Sequence, residues 1–130
     1  MKNVGTLLAL QAIKVDFTSN EIPRSVHPDV ALCVFRIVQE GLRNLKKHSG
    51  VEEAQVNLRM TEGRLDVTVR DEGCGFDLRK LRQNEGLGIR SMKERAHLLG
   101  GKFEIYSETG KGTTLKAWVP LEPQPKLEKS

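Results

Sequence analysis

The stretch PDVALCVFRIVQEGLRNLKKH, residues 28–48, decides the reading of this chain. Pro28 stands where a first helical residue tolerates a missing N–H, and Asp29 complements the positive end of the helix. Ala31, Phe35, Val38, Leu42 and Leu45 then recur at three- and four-residue spacing, an apolar stripe that must be buried against something. Ser49-Gly50 ends the pattern. Offset from that stripe runs a polar one. Glu40 and Asn44 are four apart, and Lys47 and His48 lie one turn further, so all four lie near one side of the helix. Taken alone, this is an ordinary solvated helix face. It is also a set of groups suited to metal and phosphate. The amide oxygen of Asn44 is a hard ligand for Mg²⁺, which usually binds through few protein groups plus substrate phosphates. Glu40 would orient or deprotonate an attacking group, and Lys47 would meet phosphate oxygens as a point charge.

Working outward, Ala12–Thr18 alternates, with Ile13, Val15 and Phe17 on one face and Lys14 and Asp16 on the other, as a half-buried strand does. Beyond the helix, Ala54–Met60 and Arg64–Arg70 are two alternating segments joined by Thr61-Glu62-Gly63, which reads as a hairpin. A second helix is expected over Leu87–Leu99, closed by Gly100-Gly101, and a second strand pair over Lys102–Ser107 and Thr113–Val119. Strand, helix, two strands, helix, two strands implies an α/β two-layer sandwich, a mixed five-stranded sheet with helices packed on one face. Residues 1–11 read as a truncated lead-in segment, 12–121 as one domain, and 122–130 as a disordered tail.

A chain of 130 residues has room for one core, and 38% apolar with 29% charged residues is ordinary for a globular domain. The longest apolar runs, around Thr6–Leu10 and Val30–Phe35, are too short to cross a bilayer, and no secretory signal is recognisable. A cytoplasmic location is the expectation, with Cys33 and Cys74 as reduced thiols. The net charge of +4 suits a polyanionic ligand as well as a merely solvated basic surface. Lys and Arg are scattered, not clustered and interleaved with aromatics, so a nucleic-acid partner is not expected.

Two further constellations carry chemistry. Asp71-Glu72-Gly73-Cys74-Gly75-Phe76 follows a strand directly. Its glycines let the backbone turn sharply and approach a flat ligand, and a carboxylate accepts from adenine's exocyclic amine where guanine presents a carbonyl. A glycine-rich turn with an ordinary aspartate gives the same pattern. Gly86-Leu87-Gly88 opens the second helix, where exposed backbone N–H groups attract an anion, although a helix start alone accounts for such a pair. Gly110-Lys111-Gly112-Thr113-Thr114 enters a strand and not a helix, so it reads as a tight hairpin turn and not as a Walker-type loop.

With these residues in order, the chain resembles the histidine-kinase-like ATPases, the Bergerat fold shared with gyrase, Hsp90 and MutL. Phe35–His48 is similar to that family's N box, Asp71–Phe76 to its first glycine box and Glu85–Gly88 to its second. Within the family the chain looks most like the nitrate-sensor and desaturase-sensor histidine kinases, through the RIVQE helix with its Asn44 and Lys47-His48, and the Gly86–Gly101 helix. The resemblance implies an ATP-binding catalytic domain over 12–121 that uses ATP and Mg²⁺. It implies Asn44 as Mg²⁺ ligand, Glu40 as general base, and Lys47 and His48 beside the phosphates. Asp71 would hold the adenine amine in a pocket shaped by Gly73 and Gly75, with Thr113 near the base by way of water. Gly86 and Gly88 would hinge a short ATP lid over Asp77–Glu85 and approach the phosphates.

The resemblance also implies partners: a histidine-bearing pair of dimerisation helices in the parent kinase and, indirectly, a response regulator. The full-length kinase is expected to be a homodimer and the isolated domain a monomer. No such helix pair is recognisable, because His27 precedes a proline, His48 belongs to the N box and His97 lies on the second helix. A fragment of a longer kinase is the expectation. Two other readings share the N box or the pocket: an anti-sigma-factor serine kinase, and a nucleotide-binding interaction module without catalysis.

Overall fold

The computed structural model describes residues 14–20, 26–49, 53–73 and 87–122. Seven elements follow in chain order: β1 (Lys14–Asn20), α1 (Pro28–Ser49), β2 (Glu53–Thr61), β3 (Arg64–Asp71), α2 (Leu87–Leu98), β4 (Lys102–Ser107) and β5 (Thr113–Pro120). The strands form one mixed sheet in the order β1-β2-β3-β5-β4. β1 runs parallel to β2, Lys14 opposite Glu53 and Asn20 opposite Arg59, and the other neighbours are antiparallel. A parallel pair needs a long crossover, and the 22 residues of α1 supply it. The expected five-stranded α/β sandwich is the fold observed. Residues 12 and 13 of the first expected strand, the lead-in 1–11 and residues 123–130 of the tail lie outside the described residues.

The turns sit where the sequence places them. Glu62 and Gly63 carry β2 into β3 with positive φ at both positions (42° and 78°), the pair of signs that matches strand twist in a two-residue hairpin. At the end of α2, Gly101 N donates to Ala96 O at 2.8 Å and Gly100 N to His97 O at 2.9 Å, with Gly100 at φ 91°. These two bonds are a Schellman closure, which satisfies the last free carbonyls of the helix.

Alternation decides which sheet face is covered. Leu65, Val67 and Val69 of β3 and Leu115, Ala117 and Val119 of β5 are buried, while Asp66, Thr68 and Lys116 face the other way. On that uncovered face the Arg64 guanidinium lies 4.6 Å from the centre of the Trp118 ring. Both helices lie over the apolar face, and α2 also packs against α1. Met92 and Ala96 join Phe103 in the core from the α2 side.

One expectation about α1 shifts. Its fully buried apolar positions are Val30, Cys33, Val34, Ile37, Val38, Leu42 and Leu45, whereas Ala31 and Phe35 are only half-buried. The apolar arc is wider than one stripe, about half the helix circumference, and is displaced toward Cys33 and Ile37. The cause is a second neighbour. α1 is covered by the sheet on one side and by α2 on the other, with Arg95 of α2 close enough to bias the Cys33 thiol. Burial pushes that thiol up to about 11, and the Arg95 charge acts in the opposite direction.

Candidate functional site

Three strand ends meet in one polar row. Asp71, the last residue of β3, is paired with Thr113, the first of β5, and Thr113 is paired with Ser107, the last of β4. Cross-strand partners project to the same face, so the row caps the apolar row Val69, Leu115 and Ile105 next to it. Asp71 is 3% exposed and Thr113 2% exposed. Gly73 N–H donates to Asp71 Oδ1 at 2.6 Å, closing a local turn onto the side chain. Asp71 Oδ2 is buried and has no hydrogen-bond partner among the described residues. A buried oxygen of this kind carries an unrepaid desolvation cost until a donor reaches it. Burial accordingly pushes the Asp71 carboxyl above the usual carboxylate range, with the Gly73 N–H pulling less strongly the other way.

The β4–β5 hairpin is built to press on this aspartate. Lys111 N donates to Glu108 O at 2.9 Å, which confirms a tight turn over the glycine-rich segment. Gly112 adopts φ 82°, and a Cβ there would stand 2.5 Å from the Asp71 carbonyl oxygen and 3.2 Å from Glu72 Cα. Only glycine allows that backbone approach. Ser107 Oγ lies 2.8 Å from Thr113 Oγ1 and 3.3 Å from the Gly112 carbonyl.

The second cluster lies at the seam of the two helices. Gly88, in the first turn of α2, sits against the N-box side chains: a Cβ there would meet Glu40 Oε2 at 2.8 Å and the Asn44 amide at 3.3 Å. Two residues 44 positions apart are thus brought together on the missing methyl of the second glycine box. Asn44 is only 9% exposed and lies within the buried arc of α1, not on a separate solvated stripe. Glu40 keeps 30% side-chain exposure and has the Arg43 guanidinium 3.7 Å away. Gly41, between them, faces Leu115 Cδ2 at 3.5 Å and Val69 Cβ at 3.8 Å, one row in from Asp71 and Thr113. The two clusters are therefore neighbours across α1.

Of the residues singled out in the sequence, Glu40, Asn44, Asp71, Gly73, Gly88 and Thr113 are placed by the structure in these two clusters. Lys47 and His48 fall in the last turn of α1, and their side chains lie outside the described residues. Gly75, Gly86 and the intervening lid segment lie outside them as well. Ser107 was not singled out. Its signal was present: in Phe103, Ile105, Ser107 the inward-facing register of β4 ends on a hydroxyl.

The residues fit a purine nucleotide. Asp71 Oδ2 awaits a donor, which an exocyclic amine supplies, and the space that a Cβ at Gly88 would fill opens beside the Glu40 carboxylate and Asn44 amide. For a cation, no group of three or more His, Cys, Asp or Glu converges among the described residues. A single amide ligand completed by phosphate oxygens and water is the Mg²⁺ mode that needs no such cage. An open depression of ≈ 440 Å³ along the β4–β5 hairpin touches the polar row only at Ser107, so it is not this site. Among the described residues no helix is long and apolar enough to cross a membrane.

Residues 29–123 match the histidine kinase-, DNA gyrase B-, and HSP90-like ATPase family. The chain is 36% identical over 122 residues to the sensor histidine kinase YhcY of Bacillus subtilis (strain 168), covering 94% of this chain and 31% of that protein. It is 38% identical over 96 residues to the signal transduction histidine-protein kinase/phosphatase DegS of the same organism, covering 72% of this chain and 25% of that protein. The chain thus spans a third or less of these relatives. Among solved structures, the histidine kinase domain of the Erythrobacter litoralis EL346 blue-light activated histidine kinase superposes with a TM-score of 0.71 at 26% identity, over 92% of this chain and 58% of that one. An N box folded onto a glycine-opened helix, a buried aspartate at a strand end and this agreement in sequence and fold have one reading: the chain belongs to the histidine kinase-, DNA gyrase B-, and HSP90-like ATPase family, as an ATP-binding catalytic domain of the histidine kinase kind.

Proposed function

We infer that this domain holds Mg²⁺-ATP and offers the γ-phosphate to a histidine on separate dimerisation helices of its parent kinase. The observation that carries the reading is Asp71 Oδ2, a buried acceptor with no partner among the described residues, at the end of the strand that precedes the first glycine box. Asp71 accepts from the adenine amine, Thr113 lies beside the base, and Gly73 and Gly75 shape the pocket wall. Asn44 is the protein ligand of Mg²⁺, which when bound neutralises phosphate charge. Gly88 leaves room for phosphate against the N box, and Gly86, outside the described residues, belongs in this reading to the same phosphate end. Lys47 and His48 supply donors to phosphate oxygens.

The transfer forms a bond between an imidazole nitrogen and the γ-phosphorus and breaks the bond from that phosphorus to the β–γ bridging oxygen, releasing ADP. Positioning and charge neutralisation supply most of the rate. Glu40 is the proton acceptor for the imidazole in this reading, supported by its partly exposed carboxylate beside the Gly88 opening. The RIVQE helix and the second helix with its GLG opening and LGG close support a place in the nitrate-sensor and desaturase-sensor subgroup. The setting proposed is cytoplasmic, the isolated domain monomeric and the parent kinase a homodimer that passes phosphate on to a response regulator.

Labelled ATP tests the transfer. The chain alone is expected to take no label, because phosphoryl transfer needs a nucleophile in line with the γ-phosphate and His27 and His97 are both on the exposed surface. Adding the histidine-bearing helix pair of the parent kinase should place label on that partner, with Glu40 and Asn44 intact. Acid-labile label on this chain alone would overturn the division of labour, and label on a serine-bearing partner would favour the anti-sigma-factor kinase reading.

A further inference from the structure

Asp71 is held so that its carboxyl cannot turn toward water. The residue is 3% exposed, and Oδ1 is clamped by the Gly73 N–H at 2.6 Å. The Asp71 carbonyl lies against Gly112, where even a methyl would come within 2.5 Å of it. Oδ2 is thereby fixed in a buried place that no donor reaches among the described residues. The elements around it bring little charge. Thr113 of β5 and Ser107 of β4 contribute hydroxyls to this row. Arg70 with Glu72 beside Asp71, and Lys111 with Glu108 on the hairpin, are exposed ion pairs, each neutral as a pair. Glu40 with Arg43 lies across Gly41 on α1. Two influences on the carboxyl remain. Burial favours the neutral acid, and the weaker pull of the Gly73 N–H favours the carboxylate.

An exocyclic amine is a donor, and it gains most from an ionised acceptor. Proton and amine therefore compete for this carboxyl. The competition does not depend on which oxygen takes the proton. On Oδ2 the proton meets the amine head-on, and on Oδ1 it removes the charge that makes Oδ2 a strong acceptor. We propose that nucleotide binding is coupled to proton release at Asp71: the base is taken up against the carboxylate, and a site that still holds the Asp71 proton gives it to solvent as the amine enters. The inference rests on the reading of Asp71 as the partner of the adenine amine. Its consequence is a base end that empties on acidification. Above the pH at which the empty site loses its proton, affinity is independent of Asp71 titration. Below it, affinity falls by up to about tenfold per pH unit, until the occupied site takes up the proton as well.

Calorimetric binding of ADP to the whole chain, from about pH 8 down toward about pH 4, tests this over the range in which thermal unfolding shows the protein folded. Asp71→Asn is the reference, because its amide has the shape of the neutral acid and does not titrate. The titration of ADP itself is common to both proteins and drops out of the comparison. At the alkaline end the unaltered chain should bind ADP about tenfold more tightly than the variant, or better. On acidification the two affinities should converge. Repeating the acid titrations in buffers of different ionisation enthalpy should show up to about one proton released per ADP by the unaltered chain, in excess of the variant. A constant ratio of the two affinities with no excess proton would overturn the proposal. So would tighter binding by the unaltered chain on acidification, which would mean that the neutral acid donates to a ring nitrogen of the base. The underlying site reading has its own control. If Asp71→Asn matches the unaltered chain at the alkaline end, Asp71 is not the partner of the base and both readings fall; if it is weaker there and the ratio stays constant, only the proton coupling falls.

Discussion

The two ends of the site are made in different ways. In the proposed reading the base end, Asp71, Thr113 and Ser107, stands on three hydrogen-bonded strands, and Asp71 and Thr113 are 2–3% exposed. The proposed phosphate end, Glu40, Asn44 and Gly88, stands on two helices whose seam leaves Glu40 partly open and its neighbour Arg43 65% exposed. Strand register fixes atoms to a fraction of a residue and buries them, so recognition there is prebuilt and carries a stability cost. Helix packing leaves the Glu40 charge near solvent, where it is screened, as the proposed exchange of phosphate and a proton requires.

The comparison is broken most severely by removing what both ends share. Leu42 is fully buried on α1, between Glu40 and Asn44, and Leu42→Ala should destabilise by about 2–5 kcal/mol as a core cavity. Denaturant unfolding should show that loss with and without nucleotide, and both ends should lose affinity together. An affinity loss confined to one end would mean that α1 does not couple them.

Asp71→Asn tests the stability cost of the base end. The lost charged contact should weaken ATP binding by roughly 1.5–3 kcal/mol, tenfold or more, in calorimetry. Stability should move the other way. The Asp71 carboxyl is held above its unfolded value, so the unfolded chain releases this proton first as pH rises, and native stability falls through that window. The penalty is complete above the folded value and absent below the unfolded one. Asp71→Asn should therefore raise the melting temperature at pH 7 and lose that advantage on acidification toward about pH 4. A variant no more stable than the parent at pH 7 would show that the carboxylate is not strained by burial.

At the phosphate end, Gly88→Ala adds a methyl 2.8 Å from Glu40 Oε2 and 3.3 Å from the Asn44 amide. Alanine is the better helix former by about 1 kcal/mol, so propensity alone favours the variant. Overpacking of this kind costs about 1–3 kcal/mol, and here it should appear as lost Mg²⁺-nucleotide affinity, because the Glu40 side chain moves into the opening. Unchanged affinity in a Mg²⁺ titration would separate Gly88 from the site. The smallest effect is expected at Arg43. Its pair with Glu40 is 3.7 Å long and exposed, so Arg43→Gln should change stability by less than about 1 kcal/mol, and less still in high salt.

Much of this was legible in the chain itself. Glu62-Gly63 and Gly100-Gly101 mark the turns that are observed, and the alternation in Arg64–Asp71 and Thr113–Pro120 gives the correct buried face. The N-box spacing and Asp71 before its glycines identify most of the residues that the fold gathers. The arc of α1 departs from the single stripe that periodicity predicts at Ala31 and Phe35, because the helix is covered on two sides. Asn44 followed the same error: four residues from Glu40, it reads as a solvated partner, yet it is buried.

What the sequence determined by itself was local: element type, turn chemistry, helix closure and the order of the motifs, all set by periodicity and by backbone preferences a few residues long. What only the tertiary structure decided was which distant pieces touch. The insertion of β5 between β3 and β4 makes Ser107 the neighbour of Thr113 and Thr113 the neighbour of Asp71. The packing of α2 on α1 sets Gly88 against Glu40 and Asn44. Neither follows from periodicity, because an amphipathic face states that it must be buried and not against what.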